Sequence, residues 1–83
     1  MINMDYKKIK TIIDKWDPIN LLAYAPEDEY DLECKEIYNL ISNNMSIEFI
    51  AKTIFSVFSQ SFGYDLFDKT LEECTVIAKK IIS

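Results

Sequence analysis

The chain has 83 residues, enough for one domain around a single core and too few for a deep, two-lobed catalytic cleft. Apolar residues make up 49% of it and charged residues 28%, with one Gly and two Pro, a globular and helix-friendly composition unlike that of a disordered tail. The net charge of -5 comes with no Arg and no His, which removes the best phosphate-binding side chain and the commonest catalytic base, so nucleic-acid binding and His-based catalysis are not expected.

The first residues, MINMDYKKIK, carry lysines without an apolar stretch behind them, and no window approaches the length of a membrane span. A cytoplasmic protein with no membrane association is therefore expected. From Met4 to Lys15 the apolar residues Tyr6, Ile9, Ile12 and Ile13 recur at helical spacing opposite Lys7, Lys8, Lys10 and Asp14, and Trp16 extends the stripe. Asp17-Pro18 reads as a restart, an N-cap followed by Pro at the first helical position. Only a turn or two is expected there, because Ala25 precedes Pro26 and is pushed out of the helical region.

A second long helix is expected from Pro26 to Asp28 as far as about Asn43, with Tyr30, Cys34, Ile37, Tyr38 and Ile41 on one face. Ser46 is placed to cap a third, Ile47 to Phe62. Apolar residues, Phe49 among them, cover most of its circumference, so it should be the most buried element; Gly63 supplies its stop. After GYDLFD, Asp68 or Thr70 can cap a fourth helix to about Ile82, and Thr70 with Glu73 has capping-box spacing. Leu71, Cys74, Ile77, Ala78 and Ile81 should face inward. The expectation is all-α: residues 1–83 as one compact four-helix bundle with a short extra helical turn after the first helix.

Cofactor chemistry has little to work with. One glycine cannot build a phosphate loop, and Cys34 and Cys74, forty positions apart, read as buried thiols rather than a zinc site or a disulfide. No cofactor, metal site or catalytic residue is expected. The charge, however, is localised: Glu27, Asp28, Glu29, Asp31, Glu33 and Glu36 stand against Lys35 alone, whereas the rest of the chain balances eight acids with eight lysines. Acids at a helix start are favoured by about 0.3–1 kcal/mol each through the exposed N–H groups and the dipole, but several together repel one another, so capping does not account for the surplus.

Trp16-Asp17-Pro18 with Leu21 and Leu22, then Pro26, Asp28-Glu29-Tyr30-Asp31, Glu33 and Ile37, resembles the signature of the YugE-like family of small bacterial proteins, a family of unknown function. The Phe62-Gly63 stop and the ending from Cys74 to Ile82 are similar as well. The likeness covers nearly the whole chain and departs from the family at Asn20 and Tyr24, where small residues or glycine are expected. It implies a small helical cytoplasmic domain of bacterial origin and no particular activity.

Two functional readings emerge from the residues. One is a non-catalytic interaction module that docks a basic protein partner through Tyr24, Glu27, Asp28, Glu29, Asp31 and Glu33, as an immunity or inhibitor protein would mask a basic toxin. The other is a small-ligand or metal-binding protein, or a minor enzyme, using Asp17, Asp28, Asp31 and Tyr30. The surplus apolar surface of the third helix also suits a contact between copies, although sequence does not set the oligomeric state.

Overall fold

The computed structural model describes residues 5–21, 29–41 and 44–83. Helix α1, Tyr6–Trp16, starts where Asp5 accepts the Lys7 N–H at 3.0 Å and buries Ile9 and Ile13. It ends at Asp17, whose backbone is left-handed (φ 45°, ψ 63°) and whose N–H bonds the Ile13 carbonyl at 2.8 Å. Asp17 thus closes α1 as well as opening the extra turn. From there to Asn20 that turn is a single hydrogen-bonded one, the Asn20 N–H reaching the Asp17 carbonyl at 3.0 Å. Asn20 has φ 60°, a value at which glycine is at ease and Asn is the usual substitute, which suits its place where the family likeness leads one to expect a small residue.

Helix α2, Asp31–Leu40, is shorter than its apolar stripe suggested. Glu29 and Tyr30 form a turn before it, and Pro26 to Asp28 lie outside the described residues. At its far end Ile41 is extended (φ -108°, ψ 159°) and buried, so this apolar residue fills core space from the connection rather than from the helix.

Helix α3, Ile47–Leu66, begins as expected with the Phe49 N–H donated to Ser46 Oγ at 3.1 Å. Gly63 interrupts it at φ 78°, ψ 162°, and one further turn closes through the Phe67 N–H to the Gly63 carbonyl at 2.9 Å. Helix α4, Leu71–Ile82, starts with the Glu73 N–H donated to Thr70 Oγ1 at 3.1 Å and buries Cys74, Ile77, Ala78 and Ile81. Leu71 differs from expectation: at the first position of its helix it stays exposed.

The four helices pack as a ring, α1 beside α2 and α4, and α3 beside α2 and α4, with the α3–α4 contact the most extensive. At the centre Phe58 stacks on Phe67 (centroids 5.5 Å apart) and Phe62 (6.0 Å), and meets Trp16 and Tyr30 edge-on, both at 5.9 Å. These geometries match the quadrupole preference of aromatic pairs. Phe67 comes from a segment that reads as loop, yet the turn after Gly63 swings it under the core. Cys34 and Cys74 are both free and buried. Among the described residues no helix is long and apolar enough to cross a membrane.

Candidate functional site

The turn after α1 and the start of α2 are joined through one phenol. Tyr30 Oη donates to Asp17 Oδ1 at 2.5 Å and accepts the Ile19 N–H at 3.1 Å and, more distantly, the Leu21 N–H at 3.4 Å. The Leu21 N–H also reaches Asp17 Oδ1, at 3.0 Å. The left-handed backbone of Asp17 turns the chain so that its carboxylate caps residues ahead of it, and the fully buried Tyr30 ring lies edge-on to Phe58 and Phe62. Burial, and next the hydrogen bond to Asp17, push the hydroxyl up to about 12. At neutral pH it is a fixed donor that ties the connection to the core, with its proton far too tightly held for acid–base work.

Asp31 faces elsewhere. Lys10 Nζ sits 2.7 Å from Asp31 Oδ1 and 2.9 Å from Asp14 Oδ2, so a lysine of α1 links its own helix to the first turn of α2. The hydrogen bond to Asp31 is the largest influence raising the Lys10 pKa, and the ammonium stays charged. Beside this group, burial and then Asp31 raise the Tyr6 hydroxyl, and burial pushes the Cys34 thiol up to about 12. Cys74, on α4, is pushed up to about 12 for the same reason. Neither thiol offers the thiolate that nucleophilic or redox chemistry needs. Lys10 and Asp14 reverse the favoured order of an i,i+4 pair, a weak sequence signal, and the cross-helix partner was invisible in sequence.

Of the set Asp17, Asp28, Asp31 and Tyr30, only Asp17 and Tyr30 are joined to each other among the described residues. Asp17 joins Tyr30, Asp31 joins Lys10, and Asp28 lies outside the described residues. Among the described residues no three His, Cys, Asp or Glu side chains are grouped to hold a metal ion.

The acidic segment likewise divides. Tyr24, Glu27 and Asp28 lie outside the described residues, Glu29 and Glu36 are exposed, and Asp31 is ion-paired. Glu33 is only 7% exposed, and its Oε1 has no hydrogen-bond partner among the described residues. Its position on the edge of α2 that faces inward removes it from the open patch of acids that the charge run suggested.

The family described as a domain of unknown function, DUF1871, matches residues 8–83. The chain belongs to that family. Comparison with curated proteins and with solved structures gives no match.

What this DUF1871 chain presents to solvent is more distinctive than its interior acids. Leu32 is 77% exposed on the outer face of α2, between Glu29 and Glu36. Further along, Leu40 (50% exposed) and Phe49 (52% exposed) border a groove of about 360 Å³ between α2 and α3, with Glu36 on the α2 side and Lys52 and Thr53 on the α3 side. A second groove, about 330 Å³ between α1 and α4, is lined by Ile12, Lys15, Trp16, Ile77 and Lys80. Phe49, one of the apolar residues that cover most of the circumference of α3, is exposed, whereas the helix is expected from its sequence to be the most buried element. Of Leu40 and Lys52, only Leu40 carries a signal in the sequence, as a large apolar residue standing off the buried stripe of its helix.

Proposed function

We propose that this DUF1871 domain is a non-catalytic interaction module that docks a basic protein partner through the beginning of α2. The observation that carries the reading is Leu32, 77% exposed, with the exposed carboxylates of Glu29 before it and Glu36 one turn after it. An apolar side chain held in water among acids suits a partner pocket rimmed by Lys or Arg: the Leu supplies area removed from water, and the charges steer encounter and fix register. Tyr24, Glu27 and Asp28, adjacent in sequence, extend the same chemistry. Asp31 and Glu33 drop out of the contact set, since one serves Lys10 and the other is enclosed.

The finer reading is an immunity-like or inhibitor-like protein of the YugE-like kind in a cytoplasmic setting, which agrees with small size, acidity and two free thiols. The small-ligand alternative is weaker because the Tyr30 hydroxyl and the Asp31 carboxylate are occupied by internal bonds. The test is capture of partners from the native cell at low salt by immobilised wild type, by Glu29→Gln/Leu32→Ser, and by Glu33→Gln as a matched loss of one charge. A partner held by wild type and Glu33→Gln, released by salt and lost from the double variant, is the expected result. Equal capture by all three would sink the assignment.

A further inference from the structure

The α2–α3 groove bears charges that have no counterpart among the described residues. Glu36 on one wall and Lys52 on the other are both exposed, and neither forms an ion pair among the described residues. The half-exposed side chains of Leu40, on the α2 wall, and Phe49, on the α3 wall, line the same groove together with the buried Val57. A groove with an acid and an apolar group on one wall and a base and an apolar group on the other is complementary to itself.

We propose that this groove is the contact face of a two-fold homodimer. A two-fold axis running along the groove lays α2 of each copy over α3 of the other, as isologous contacts require residue i to meet j while j meets i. In that arrangement Glu36 of each copy faces Lys52 of the second copy, so one unpaired acid–base couple in the monomer becomes two intermolecular pairs. Leu40 of each copy covers Phe49 of the other, withdrawing these exposed apolar side chains from water. A standard interface of about 800 Å² per partner would take about 15% of the 5312 Å² surface. The contact shares Glu36 with the surface assigned to a basic partner and otherwise lies toward the Leu40 end of α2; it does not depend on that assignment, because its test reads the mass of the chain alone and not partner capture.

Sedimentation equilibrium of the full chain, from micromolar to millimolar loading, tests this. The expected mass rises with concentration from 9.7 kDa toward twice that value. Phe49→Glu should hold the chain monomeric. Glu36→Lys and Lys52→Glu should each weaken association about tenfold or more, by setting like charges opposite each other, and the double reversal should restore it. Helix content and unfolding midpoint, measured on each variant, separate a lost interface from a lost fold. A wild type that remains at 9.7 kDa throughout overturns the proposal, as does association that survives Phe49→Glu or a double reversal no better than the singles.

Discussion

Tyr30→Phe removes one oxygen from the partly buried turn after α1 and leaves the packing of the ring on Phe58 and Phe62 in place. The loss is then a matter of hydrogen bonds. The bond donated to the Asp17 carboxylate belongs to the charge-assisted class, worth about 1.5–3 kcal/mol, and the Ile19 N–H loses its acceptor in a partly buried position, which adds on the order of 1 kcal/mol. The Leu21 N–H is spared, because Asp17 Oδ1 also accepts from it. A total near 3 kcal/mol is a quarter or more of the 4–12 kcal/mol or so expected for a chain of this length. It corresponds to a fall in Tm of about 12–24 °C for a domain this small. Urea denaturation of wild type, Tyr30→Phe, Asp17→Asn and the double variant should show an unchanged m-value for Tyr30→Phe and a coupling energy of about 1.5 kcal/mol or more. A Tyr30→Phe loss under about 0.5 kcal/mol would show that the phenol does not hold the connection between α1 and α2.

Three further measurements probe other parts of the fold. Gly63→Ala should cost about 1–3 kcal/mol in urea even though nothing lies within 4 Å of the added methyl, because φ 78°, ψ 162° is open essentially to glycine alone; Asn, at home in the left-handed helical region, should not rescue it, and equal stability of Ala and Gly would contradict that backbone geometry. Thr70→Ala should lose about 1 kcal/mol and Thr70→Ser should keep most of it, read by the same denaturation; no loss would mean the Glu73 N–H is equally well served by water. Stability should decline as pH rises above about 9, since Cys34, Cys74 and Tyr30 ionise near 9 to 10 in the unfolded chain but only at about 12 when folded. The unfolded state then binds fewer protons than the native one, and each group contributes a slope of up to about 1.4 kcal/mol per pH unit. A urea midpoint that stays flat from pH 8 to about 11 would argue against the burial of all three.

Much of the fold is legible in the sequence because helix caps and apolar stripes are local. Ser46 to Phe49 and Thr70 to Glu73 are hydrogen bonds three residues long, the stop at Gly63 is a property of one Cα, and the stripe of Ile9 and Ile13 needs only the 3.6-residue period. The net charge and its concentration in residues 27–36 are likewise complete in the sequence. Tertiary structure decided what each of those features faces. An acid in a first turn is equally at home in solvent, in an ion pair or enclosed, and packing alone gave Asp31 to Lys10, closed Glu33 in and left Glu29 outside. A residue outside a helix has no period to read, so the burial of Phe67 came from where the turn after Gly63 carries it, while Ile41, on the inner stripe by its spacing, reaches the core from just past the helix end. An apolar circumference states how much surface an element can bury and is silent on how many neighbours will cover it: α3 has α2 and α4, and the side of it between them and solvent keeps Phe49 in water. The stretch from Trp16 to Glu33 carries both kinds of information, since its chemistry is written in order along the chain while the bond from Tyr30 to Asp17 joins two residues thirteen positions apart and exists only in the folded protein.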